Sequence, residues 1–323
     1  MNNLLHEITN KVIENYKLVK NKLRFDGEYI NHFASLIFGE DNKEIDINKI
    51  KQIRRYIKLN TNKMSSFRGD MLYMLSILIS KEENYVEFSN RIIKISEKLK
   101  DNDFKDGNIL VLSAYALAKH SKDEQEETII KDMKRIYISL KNQYSEFTNE
   151  EDYLICALIA IEANKNKVNI EDSKMYIQNI FDYLSDLDNY SKNDLQGIAG
   201  SLLLNNNSSA QYEIKKLIKV FNNEDMKIGD EVLPLIGAVS REENPYEYLR
   251  KVKQVTKYLC EEEGEYAFYM DKTFRTLISI IIVEMYERYN NFISNEYLEE
   301  LLCFTVYSFL VSKKQGLFEE VLA

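Results

Sequence analysis

Residues 147–161 read FTNEEDYLICALIAI, and residues 67–79 read FRGDMLYMLSILI. Both open on a phenylalanine, pass through a short polar stretch carrying Asp70 in one case and Glu150, Glu151 and Asp152 in the other, and run into a long apolar segment. Carboxylates ahead of an apolar run mark a helix start, because they accept hydrogen bonds from the free amides of the first turn and complement the positive end of the helix dipole. A helix that is apolar all round must be covered on every side. The recurrence of such a helix therefore predicts a set of helices that cover one another.

Outward from these two segments the chain alternates apolar helices with amphipathic ones. Residues 84–99 place Phe88, Ile92, Ile95 and Leu99 at three- and four-residue steps, and residues 124–141 do the same with Ile129, Ile130, Met133, Ile136, Tyr137 and Leu140. Helices are expected at 70–80, 107–119, 150–163, 171–186 and 193–204, then in a more diverged copy at 208–221, 230–239, 246–259 and 270–290. Upstream, Leu4, Leu5, Ile8, Val12, Tyr16, Val19 and Leu23 form one stripe. A second helix ends near Gly39, expected to take a left-handed conformation there, and Asp46 is placed to cap a third. Pro234 and Pro245 both fall where a helix start tolerates them. A last helix, 295–311, carries Tyr297, Leu298, Leu301, Leu302, Thr305 and Phe309.

The pattern predicts an all-α fold: a helical repeat array, α-solenoid or α/α-toroid-like, of about 14–15 helices with a repeat of roughly 80 residues. It reads as one body over 1–323, with N-terminal capping helices at 1–62, repeats at 63–120, 121–206 and 207–291, and a C-terminal cap at 292–323. Two prolines and ten glycines in 323 residues are too few for an all-β chain with its many turns. With 45% hydrophobic residues there is ample apolar surface for a core.

The net charge of −9 comes from 52 acidic against 43 scattered basic residues, which argues against nucleic acid as a partner. The start MNNLLHEITNK lacks the basic and apolar regions of a secretory signal, and residues 277–283 are too short an apolar window to span a bilayer. No membrane insertion is expected. Cys156, Cys260 and Cys303 are widely spaced in apolar helical contexts, which fits a reducing cytoplasm. His6, His32 and His120 are isolated, no Cys or His pair has ligand spacing, and no phosphate loop or nucleophile elbow is present. Neither a metal nor another cofactor is expected.

Four segments give this array a family likeness: Phe67-Arg68-Gly69-Asp70; Phe147 to Asp152 with Ala157 following; Asp194-Leu195-Gln196; and Pro234-Leu235-Ile236-Gly237. In these the chain resembles the bacterial helical family known as domain of unknown function family 4003. The resemblance covers most of the chain. It implies an all-helical cytoplasmic protein of this length, and carries over no activity, substrate or catalytic residue.

The candidates for function are the carboxylates at helix starts, Asp70, Glu150, Glu151, Asp152, Asp194, Asp230 and Asp271, although capping alone explains such residues. Equivalent helices in a stacked array begin on one edge, so Asp70, Asp152 and Asp230 are expected to line a rim. Arg68, Tyr73, Tyr153, Asn193, Gln196 and Arg275 would lie near it or on the opposite edge. The reading adopted is an interaction protein of the cytoplasm, an array that engages a protein or peptide on its concave face. The alternative is an enzyme or small-molecule binder, a closed array whose helix starts form a polar pocket, and a deep cavity faced by Asp152 and Asp194 would favour that alternative.

Overall fold

The alternation of one-sided and all-round apolar segments becomes an alternation of half-buried and buried helices. In a computed structural model, which describes residues 1–40, 44–187, 190–205, 210–224, 226, 228–239, 244–291 and 295–322, all regular structure among the described residues is helical. The half-buried helices are α1 (Asn3–Lys22), α3 (Ile47–Asn60), α5 (Tyr85–Asp101), α7 (Glu126–Gln143), α9 (Ile170–Leu184), α11 (Ala210–Asn223) and α13 (Pro245–Glu262). Buried on nearly every side are α2 (Glu28–Ile37), α4 (Gly69–Ile79), α6 (Asn108–His120), α8 (Tyr153–Asn166), α10 (Lys192–Leu203), α12 (Leu233–Val239) and α15 (Lys272–Asn291). A short α14 (Gly264–Phe268) and the long α16 (Leu298–Leu322) complete the set.

Side chains at the helix starts account for the boundaries. The Asn2, Asp46, Asn84, Asn169, Ser191 and Asn244 side chains each accept a backbone N–H from the first turn of the helix that follows, a contact worth about 1 kcal/mol apiece. Pro245 opens α13 and Pro234 is second in α12, where a missing amide costs nothing. Gly39 differs from expectation. The glycines with positive φ are Gly27 and Gly69, at the starts of α2 and α4, whereas a Cβ on Gly39 would lie 2.8 Å from Met285. Gly39 serves close packing, not a left-handed turn. The expected helix start at Ser208 lies outside the described residues.

Each half-buried helix packs on the buried one that follows it, α1 on α2 and so on to α13 on α15. The buried helices also pack in succession, α2 to α4, α6, α8, α10 and α12. The end of the chain returns to its start, because α15 packs against α1 and α2, and α13 against α1. The last helix, α16, touches α2, α4, α6 and α12, so it is surrounded by helices that precede it. The sixteenth helix is the short α14, which forms between the helices expected at 246–259 and 270–290. The last helix runs on past 311 to Leu322, through the segment expected as part of the C-terminal cap.

Polar groups fix the first half of α16 within this surround. Glu299 pairs with Lys81 and Lys119 at 2.7 Å each, and fully buried Glu300 meets Lys119 at 2.9 Å and His120 Nε2 at 3.0 Å. The Tyr297 hydroxyl donates to Glu162 at 2.6 Å. The second half is held by Lys313 on Asp271 (2.7 Å) and Lys314 on Asp70. The two sets lie at opposite ends: Lys81, Lys119 and His120 stand at the C-terminal ends of α4 and α6, Asp70 and Asp271 at the starts of α4 and α15.

Candidate functional site

The starts of α6, α8, α10 and α12 converge with α16 on a cavity of about 610 Å³. Gly107 to Leu110 supply the α6 wall, and Asn149 to Ile155 the α8 wall, which begins as a 3-10 turn over Glu150–Asp152. From α10 come Asn193, Asp194 and Gly197, and from the segment entering α12 come Asp230, Glu231 and Pro234. Across from these, α16 presents Leu301, Phe304, Tyr307, Ser308, Val311 and Ser312. Glycines permit the close approach: a Cβ on Gly197 would lie 2.9 Å from Pro234, one on Gly200 2.7 Å from Ile155, and one on Gly237 2.1 Å from the Ser201 hydroxyl.

Asp152 is the most buried of the carboxylates on this wall. One oxygen accepts the Asn149 backbone N–H at 2.9 Å, and the other accepts the Gln196 amide at 3.0 Å. Gln196 is fixed in turn by the Thr148 hydroxyl, which donates to its Oε1 at 3.1 Å. No cation reaches Asp152 among the described residues. Burial pushes its carboxyl up to about 7, Glu151 and Asp194 add to the shift, and the Asn149 and Gln196 bonds hold it back. Asp194, whose backbone N–H donates to the Ser191 hydroxyl at 3.1 Å, is raised to about 6, chiefly by burial and further by Asp230, Glu151 and Glu231. Asp230 is raised too, by burial and then by Glu231. Glu150 goes the other way, held down first by its 2.8 Å bond to Lys105.

Of the residues singled out from the sequence, Glu150, Glu151, Asp152, Tyr153, Asn193, Asp194 and Asp230 all line this cavity, and Gln196 stands directly behind Asp152. Asn193 donates from Nδ2 to Glu151 at 3.2 Å, while its buried Oδ1 has no donor. Asp70 and Asp271 are engaged by the α16 lysines instead. Asp70 makes no cap, because Arg68 and not Asp70 occupies the cap position of α4; Asp271 does cap, accepting the Thr273 N–H at 2.8 Å.

Three candidates lie elsewhere. Arg68 closes the end of α3, donating to the Lys58 carbonyl at 3.1 Å and the Thr61 carbonyl at 2.8 Å. The Tyr73 ring lies under the Arg54 guanidinium at 4.7 Å, and Arg54 pairs with Asp26. Arg275 donates to the Tyr266 carbonyl in α14. Nearness to a helix start in sequence placed these three, and it does not fix which way a side chain turns. The sequence reading missed Glu231 and the cavity face of α16. Phe304, Tyr307, Ser308 and Val311 recur at three- and four-residue steps beside the apolar stripe, a signal that α16 is covered on more than one side.

The chain is thus an all-helical protein with an acid-lined pocket at one end of its buried helices. It matches the family described as "Protein of unknown function (DUF4003)" over residues 15–315 and belongs to it. No curated protein and no solved structure matches the chain. No helix among the described residues is long and apolar enough to cross a membrane.

Proposed function

We propose that this protein is a small-molecule binder whose site is the pocket at the starts of α6, α8, α10 and α12, within one toroid-like helical-repeat body acting in the cytoplasm. The observation that carries the reading is the cavity of about 610 Å³ with both Asp152 and Asp194 on its wall. That volume is in the range of small-molecule sites, and apolar walls with a few convergent polar groups are their usual make-up. Two carboxyls raised to about 7 and about 6 can hold or release a proton near neutrality, a capacity that suits acid–base chemistry. Engagement of a protein or peptide by a concave face is the weaker reading, since the faces of α2, α4, α6 and α12 that an array would offer pack on α16.

The test is a thermal-shift screen of a metabolite-sized library against wild type and Ser308→Trp, which fills the pocket from α16. Hits that stabilise wild type and lose their effect in Ser308→Trp, with the circular dichroism spectrum unchanged, support the pocket. Hits indifferent to the substitution, or no hits alongside capture of the protein by a peptide library, would overturn it.

A further inference from the structure

The end of the molecule that holds the pocket carries carboxylates at several of its helix starts, and α16 neutralises only some of them. Glu28, Asp70, Asp152, Asp194, Asp230 and Asp271 stand at the starts of α2, α4, α8, α10, the turn before α12, and α15. Two of them are answered by ammonium groups of α16, Asp271 by Lys313 and Asp70 by Lys314. Across the α8, α10 and α12 sector the chain supplies no such partner. Glu151, Asp152, Asp194, Asp230 and Glu231 all line the cavity, and none has a lysine or arginine within ion-pair distance among the described residues. Lys105, the basic residue on the cavity wall, is taken up by Glu150 at 2.8 Å. Asp152 is buried and the other four are partly or fully exposed; like charges gathered on one wall without a counter-charge repel, so the arrangement has something to gain from a cation that arrives from outside.

A further feature defines that cation. Phe304, Tyr307, Leu301 and Leu110 form the apolar side of the same cavity, where aromatic faces attract cations and hydrocarbon is buried. A bare metal ion fits poorly, because no group of three or more His, Cys, Asp or Glu among the described residues is placed to hold one.

Resting on the pocket reading above, we propose that the ligand class is an organic ammonium: an amine carrying hydrocarbon, its charged nitrogen set between the α8, α10 and α12 carboxylates and its apolar part against α16. In this arrangement the ligand does for one sector what Lys313 and Lys314 do for the other.

The experiment is isothermal titration calorimetry of the full chain with hexylamine and spermidine, against hexanol and hexanoate as probes of matched length. The amines are expected to bind, hexanol and hexanoate not. Affinity should rise about tenfold or more from about pH 5 to about pH 8 as the carboxyls ionise while the amines stay charged. Asp194→Asn and Asp152→Asn should each weaken binding about tenfold, the loss of one charge contact. Ser308→Trp leaves the net charge unchanged and separates the pocket from general attraction to an acidic protein, so amine binding that survives it overturns the proposal. Hexanol or hexanoate binding that Ser308→Trp abolishes, with no preference for amines, would sink the ammonium class and leave the pocket standing. If none of the four probes binds, the ammonium class falls, and the library screen decides the pocket separately.

Discussion

Asp152 shows how one carboxylate can belong to the fold and to the site at once. Its two oxygens complete a cap with the Asn149 amide and a bond with Gln196, yet burial raises its carboxyl from 3.8 to about 7. A carboxyl raised in the folded state binds more protons there than in the unfolded chain over that interval. Its contribution to stability is therefore undiminished below about pH 4, declines through about pH 4 to 7, and is lowest above pH 7. The size of that decline is on the order of 4 kcal/mol at about 1.4 kcal/mol per pH unit. Asp152→Asn keeps the oxygen that accepts the Asn149 amide and removes the ionisation. In urea melts the variant should gain about 2 to 4 kcal/mol over wild type near pH 8 and nothing near pH 4. A variant less stable than wild type at both pH values would mean that Asp152 serves the fold alone. The sequence marked Asp152 as a helix start and so as a cap. It did not carry the burial, which depends on Gln196 arriving from α10 to meet both Asp152 and Thr148.

Among the elements, the pair α10 and α12 sets the shape of the pocket, because small residues let them approach closely. A Cβ on Gly237 would lie 2.1 Å from the Ser201 hydroxyl and 3.0 Å from the Ile198 carbonyl, so backbone as well as side chain opposes it. Gly237→Ala should cost about 1 to 3 kcal/mol, the usual range for overpacking a core. Adding Ser201→Ala should recover only part of this, since the Ile198 carbonyl remains. Full recovery, or no loss at all in chemical denaturation, would contradict the close packing. The buried helices were legible because apolar runs such as 71–79 and 153–161 admit no solvent-facing side. The path of α16 was not: its apolar stripe suits a terminal cap as well as a helix surrounded by others, and only contacts distant in sequence, such as Glu300 with His120, separate the two.

For the whole molecule the distribution of charge matters more than its sum. The densest basic stretches are locally neutralised, Lys215 by Asp186, Lys216 by Glu213, Arg250 by Glu247, Lys253 by Glu224 and Lys251 by Glu287. No footprint of free positive charge is left there to release counterions from a phosphate backbone. Fluorescence anisotropy with labelled single- and double-stranded oligonucleotides at low salt should show no sub-micromolar binding, and binding that weakens steeply with added salt would contradict this. The pocket, by contrast, gathers Glu151, Asp152, Asp194, Asp230 and Glu231 with no lysine or arginine within ion-pair distance of them among the described residues, and that is the feature on which the functional account depends. The most direct measurement of it is a carbon-detected NMR titration of the Asp152 and Asp194 carboxyls, assigned through Asp152→Asn and Asp194→Asn, with and without hexylamine. Midpoints of about 7 and about 6 are expected in the free protein, with a fall in both when the amine is present. Midpoints near 4 that the amine leaves unmoved would contradict it.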